Sequence, residues 1–226
     1  IEDITAISRQ GLRVQLTENP EFWRKIDAGV AFLDQLLEED GVIYGVTTGY
    51  GDSVTVRVPL HQVYELPVHL TRFHGCGLGQ EFSHQQSRAI LATRLCSLSQ
   101  GYSGVSRDLL ARLVDFLNYD VTPCIPQEGS VGASGDLTPL SYVAGAMIGE
   151  REVMYRSERR PATEVMQELG WEPLTLRPKE GLAVMNGTAV MTALACLAFE
   201  RADYLTKLSS RVTAMMSLAL KGNSHH

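Results

Sequence analysis

The residues best suited to chemistry lie within "QEGSVGASGDLTPLSY", Gln127 to Tyr142, at Ala133, Ser134 and Gly135. A glycine amide nitrogen is the least hindered of any residue, an alanine leaves its carbonyl open to approach, and a serine carries a β-hydroxyl that can be eliminated. Held in a tight turn, the three could cyclise and lose two waters, giving an imidazolone ring with an exocyclic methylidene. Such a ring is a strong electrophile, a function that side chains lack and that an added cofactor otherwise supplies. The plainer alternative is a Gly-rich turn before a helix, which binds an anion or simply turns the chain.

Two further stretches set polar residues among glycines. "YGVTTGYG" begins at Tyr44, and its Gly45, Gly49 and Gly51 can take positive φ and let the loop move. "MNGT" contains Asn186. Taken singly, Tyr44 could anchor a surface turn and Asn186 could cap a helix.

Taken together and in order, "YGVTTGYG", "GSVGASGDLTPLSY" and "MNGT" resemble the aromatic amino acid ammonia-lyase family, which comprises histidine, phenylalanine and tyrosine lyases and their aminomutase relatives. The helical stretches between the motifs fit as well, so the resemblance covers essentially the whole chain. It implies that Ala133, Ser134 and Gly135 become 4-methylidene-imidazol-5-one (MIO) autocatalytically, with no external cofactor and with Asp136 beside the ring. It implies that Tyr44 is the general base that removes the substrate's β-proton and that Asn186 lies near ring and substrate. A phenol, with an ordinary pKa of about 10, is a poor base at neutral pH, so positive potential from glycine amides or helix N-termini is required nearby. The reaction implied is loss of ammonia from an L-amino acid to leave an α,β-unsaturated acid. An aminomutase would share every motif and return the ammonia to the β-carbon. A non-catalytic helical assembly protein, or an inactive fragment, is the alternative of another class.

In the family, two adjacent residues before the second Gly-rich loop line the side-chain pocket. Here they match Phe73 and His74 of "LTRFHGCGLG", with Gly51 also on the substrate side. Phe73 suits an apolar ring, whereas His74 offers a donor or acceptor to a phenol or an imidazole, so histidine and tyrosine are expected ahead of phenylalanine. The alternative for His74 is a helix-end residue bonded to backbone. The family's carboxylate-binding arginine matches no arginine here. The resemblance places it beyond His226 and implies a homotetramer built around a long helical bundle, so a fragment or truncated form is expected.

The elements that must position these residues read mostly as helix. Glu2 to Gln10, "PEFWRKIDAGVAFLDQLLEE" with Pro20 at its start, Leu60 to His74, Ser83 to Gln100, and Ser106 to Leu117 carry apolar residues at three- and four-residue spacing. Ser106 is the expected N-cap of the last, with Asp108 in its first turn. Ile148 to Pro161 reads as a small hairpin and the only strand region, followed by a helix over Ala162 to Leu169. From Gly181 a long, nearly uncharged helix runs through Phe199 towards the end of the chain. Its length suits a membrane span, but Asn186-Gly187-Thr188 interrupts it and charges follow it, so a helix buried on all sides within a large bundle is expected. A chain of 226 residues has little interior for such a helix, which points to an oligomer, a missing half, or both. The expected class is mainly α with at most a small β hairpin, divided into a ring-bearing domain over 1–180 and the start of a central bundle over 181–226.

Composition narrows the partners. A net charge of −6 without a basic cluster argues against nucleic acid and anionic membrane and leaves a small-molecule amino acid substrate. Four cysteines without CxxC spacing and no apolar leader suggest a reduced, cytoplasmic setting. His61, His69 and His84 show no metal-ligand spacing, and no metal is expected.

Overall fold

The computed structural model describes residues 1–226 except Asp40, Gly132, Ala133, Ser224 and His226, so the expectation for Ala133 lies outside the described residues. Ten helices and five strands follow in order among the described residues. They begin with α1 (Glu2–Gln10) and α2 (Pro20–Glu38), a 3₁₀ turn at Gly51–Thr55, α3 (Leu60–Val63), α4 (Leu66–His74), β1 (Leu78–Glu81), α5 (His84–Leu98) and α6 (Arg107–Asn118). Then come β2 (Thr122–Pro123), β3 (Pro126–Glu128), α7 (Leu137–Met147), β4 (Glu152–Tyr155), β5 (Glu158–Pro161), α8 (Ala162–Leu169), α9 (Glu180–Met185) and α10 (Ala189–Ala219). The class is mainly α, as expected.

Helix α5 is the axis of the core. Every residue from Ser87 to Leu95 is buried, which sequence periodicity alone would not give because apolar residues occupy all sides. Its start is fixed by a capping box in which the Ser83 hydroxyl accepts from the Gln86 amide and the Gln86 side chain accepts from the Ser83 amide. Against it lie α1, α6 and α10. From α6, Leu109, Leu110, Leu113, Phe116 and Leu117 face inward, a 3.6-residue stripe. Its Ser106 cap accepts from the Leu109 amide, as expected. Truncating a fully buried leucine such as Leu110 or Leu113 would cost about 2–5 kcal/mol, because the close-packed surroundings cannot collapse onto the void.

Two expectations are corrected. Leu60 to His74 is two helices, because Pro67 has no amide to donate to Val63 and its ring would strike that carbonyl; it sits instead in the first turn of α4. The strands exceed one hairpin. β4 and β5, joined through Arg156 and Ser157 at positive φ, gain β2 as a third antiparallel strand, and β1 pairs separately with β3. β1, β2 and β3 are two to four residues long and pair across long stretches of chain, which leaves no local alternation to read. The interruption expected at Asn186-Gly187-Thr188 is present and separates α9 from α10. Within this one chain Ala189, Val190, Ala193, Cys196 and Leu197 of α10 are buried, whereas Arg201 onward is mostly exposed and not covered on all sides.

Candidate active site

Helices α4, α7 and α9 pack on one another and converge on a single cleft. The approach of α9 to α4 is close enough that a Cβ on Gly181 would lie 2.9 Å from the Pro67 Cα, so only glycine fits there. A cleft of about 590 Å³ opens at their junction, lined by Tyr44, Tyr50 and Gly51 from the loop, His69, Phe73 and His74 from α4, Ser134 before α7, Leu182 from α9, and Asn186. Tyr44, Gly51, Phe73, His74, Ser134 and Asn186, distant in sequence, thus meet in one place.

The loop around Tyr44 is tied down by its own threonines. The Thr47 hydroxyl accepts from the Ile43 amide at 2.8 Å and donates to the Gly41 carbonyl at 2.9 Å, while Thr48 accepts from the Gly45 amide at 3.1 Å. Gly45, at φ 66°, lets the chain turn where a Cβ would strike the Tyr50 ring. The result aims the Gly51 amide at the Tyr44 phenol oxygen, to which it donates at 2.9 Å. The neighbouring Tyr50 ring stands edge-on, 6.4 Å from that of Tyr44. Burial first, and the charge of Tyr44 second, push the Tyr50 phenol well above its ordinary range, so Tyr50 stays neutral.

On the opposite wall, Phe73 and His74 end α4 with their rings edge-to-face at 5.1 Å. Burial holds the His74 imidazole below its ordinary pKa, so it is neutral at pH 7 and has one donor and one acceptor nitrogen. It makes no hydrogen bond among the described residues, and the alternative of backbone capping is not observed.

At the floor, Ser134 has φ 59° and Gly135 φ 109°, a turn that a non-glycine residue enters at a cost. An added Cβ on Gly135 would lie 2.7 Å from the Gly187 amide nitrogen and 2.9 Å from Asn186 Nδ2, so two donors crowd this turn. Asp136 follows, 6 % exposed, and bonds the two sides together. Its amide donates to the Gly187 carbonyl at 2.8 Å, and its carboxylate accepts from the Val190 and Met191 amides at 3.0 and 3.1 Å and from the Ser130 hydroxyl at 2.9 Å. The cap of α10 is therefore Asp136 and not Asn186. The tight positive-φ turn, the serine in the cleft and the two adjacent donors fit the ring that the triplet would form.

Tyr50, His69 and Leu182 line the cleft without having been anticipated. Tyr50 lies within the "YGVTTGYG" motif and could have been taken with it; Leu182 carries no signal that separates it from core.

The geometry agrees with comparison to known proteins. The family model described as aromatic amino acid lyase matches residues 1–226. A histidine ammonia-lyase of Staphylococcus aureus is 38% identical over 222 residues, 98% of this chain and 44% of that protein. The structure of tyrosine aminomutase from Streptomyces globisporus superposes with a TM-score of 0.87 at 37% identity, over 96% of this chain and 40% of the other. Histidine ammonia-lyase from Trypanosoma cruzi superposes with a TM-score of 0.88 at 32% identity, over 98% and 43%. The chain spans less than half the length of these relatives. With a match along its whole length and three ordered motifs meeting in one cleft, the chain belongs to the aromatic amino acid lyase family.

Proposed function

We propose that this chain carries the reacting half of an ammonia-lyase that releases ammonia from an aromatic L-amino acid, histidine or tyrosine ahead of phenylalanine. The observation that carries this is the convergence of Tyr44, Ser134 and Asn186 from three separate motifs on one cleft of about 590 Å³. In this reading residues 1–180 are the ring-bearing domain and 181–226 open a central helical bundle. The bundle is shared in a homotetramer, whose remaining sequence completes the pocket with the carboxylate-binding arginine.

Ala133, Ser134 and Gly135 would provide the MIO ring, and the chemistry it would supply is that of an electrophile towards the substrate amine. The chain's own residues do the rest. Tyr44, with the Gly51 amide on its oxygen, takes the β-proton. Tyr50, kept neutral, stands edge-on beside that base. Phe73 packs on the substrate ring, and neutral His74 exchanges a hydrogen bond with a phenol or imidazole; phenylalanine would leave that nitrogen unpaired. Asn186 Nδ2, close beside Gly135, is the side-chain donor that would favour negative charge developing there, while the Gly187 amide is already spent on the Met185 carbonyl.

An aminomutase is the second reading, favoured by the 37% identity to the Streptomyces globisporus enzyme. The same residues would act, with the ammonia re-added at the β-carbon.

The test compares the full-length protein that contains this chain with its Ser134→Ala and Tyr44→Phe variants by intact mass and by ammonia release from histidine and tyrosine. Wild type should fall short of its translated mass by two waters, about 36 Da, since the electrophile must be built from the chain itself. Ser134→Ala should show no deficit and no turnover. Tyr44→Phe should keep the deficit and lose roughly 10²–10⁴-fold in rate, the usual worth of a positioned base. A Ser134→Ala chain at full rate would sink the electrophile account, and a β-amino acid product would select the second reading.

A further inference from the structure

Arg94 is an arginine within the buried run of α5 and only 4 % exposed. Burial pushes its guanidinium down to about 10, an effect that the nearby Asp136 carboxylate opposes, so the group stays charged at neutral pH. Its Nε has no hydrogen-bond partner among the described residues. A cation this deep and incompletely paired costs stability, so its retention calls for another explanation.

Its two remaining nitrogens both act on the turn between α9 and α10. Nη2 donates to the carbonyl of Ala183, in the last turn of α9, where the helix stops too soon for its carbonyls to find backbone partners. Nη1 lies against the Cα of Gly187, so close that a Cβ there would overlap it. The other face of the same turn meets the reactive triplet: the Gly187 amide and Asn186 Nδ2 crowd Gly135, and the Gly187 carbonyl accepts from the Asp136 amide. The far end of α9 is equally fixed, because buried Glu180 accepts from the Ser106 and Arg177 amides at 2.7 Å each. The Asn186–Gly187 turn thus lies between the Arg94 guanidinium on one side and Gly135 with Asp136 on the other.

We propose that Arg94 is the positioning residue that presses the Asn186–Gly187 turn onto Gly135 and so assists ring closure. This rests on the reading that the triplet matures. Closure joins the Gly135 nitrogen to the Ala133 carbonyl carbon. One water carries off that oxygen with the amide hydrogens of Gly135 and Ser134, and a second carries off the Ser134 hydroxyl with its Cα hydrogen, so no oxidant or co-reactant is needed. Arg94 touches none of these atoms and acts through Gly187. A displaced turn costs the reaction in the way that any loss of near-attack geometry does, on the order of 10–100-fold for a shift near 1 Å.

The test follows wild-type, Arg94→Lys and Arg94→Met full chains after synthesis by intact mass, with a thermal melt of each. Lysine keeps the charge and can reach the Ala183 carbonyl, but it has no flat face to set against Gly187. Arg94→Lys should therefore melt cooperatively yet lose its two waters on the order of 10–100-fold more slowly than wild type, as expected of lost near-attack geometry. A folded Arg94→Met should be slower still. A purely structural role would lower the melting temperature without changing the pace of water loss in folded chains. Water loss at wild-type pace in either folded variant would overturn the role of Arg94 alone. A wild-type chain without the deficit would overturn the ring reading and this inference with it.

Discussion

Two tyrosines six positions apart in one loop, Tyr44 and Tyr50, have been given opposite environments. One receives a backbone donor on its oxygen; the other is buried beyond ionising. His74 also lines the cleft, and burial perturbs its imidazole. Its folded pKa lies below the unfolded value near 6.5 because burial disfavours the imidazolium. The unfolded chain therefore binds more protons below about pH 6.5, and stability falls as pH drops through that value, until the folded state is protonated as well. Melting temperatures between pH 7.5 and 5 should fall further for wild type than for His74→Gln, which has no proton to take up. Equal losses in both would mean that His74 is not held neutral by the fold. At pH 7 the same neutrality leaves His74 free to bond an uncharged ring nitrogen or hydroxyl.

The elements that position these residues were legible to different degrees, and the differences have physical causes. Helix α6 was readable because its cap and its one-sided stripe are local signals, and α1 and α8 run between the residues expected. The convergence of α4, α7 and α9 was not readable, since it depends on close approaches such as Gly181 against Pro67 that composition does not encode. Resemblance supplied the site residues, while the linkage among them came only from coordinates. Asp136 shows this best. It sits at the N-cap position of α7 but makes no cap bond there, and instead caps α10 across the cleft. Asp136→Ala should strand two buried amides and the Ser130 hydroxyl at a cost of about 1–3 kcal/mol, whereas Asp136→Asn, whose amide oxygen still accepts, should lose less. In thermal melts the alanine variant should fall several degrees, at about 2–4 °C per kcal/mol for a chain of this size. An unchanged melting temperature would show that α10 does not need this cap.

At the scale of the whole molecule, the unusual feature is the outer part of α10. Leu205, Leu208, Val212 and Met215 are exposed there at spacings of three, four and three residues, which is the period of a helix seam and not of a solvent face. Arg9 pairs with Glu200 at 2.7 Å and ties the helix to α1, and beyond that point α10 extends into solvent. A seam of this kind asks for another helix, and the proposed tetramer supplies one. Replacing Leu205 and Leu208 together by glutamate forfeits about 1.5–3 kcal/mol of burial per leucine and adds charges that would have to be desolvated. Sedimentation should therefore show the variant as smaller species, with turnover lost because the pocket is completed by other sequence in the assembly. The mass deficit should nevertheless persist. Arg94, Asp136, Asn186 and Gly187 all belong to this chain, so on the proposed reading ring formation needs only this fold, whereas turnover needs the assembly. A dissociated variant that retains full turnover would disprove that division, and one that loses the deficit would show that assembly precedes maturation.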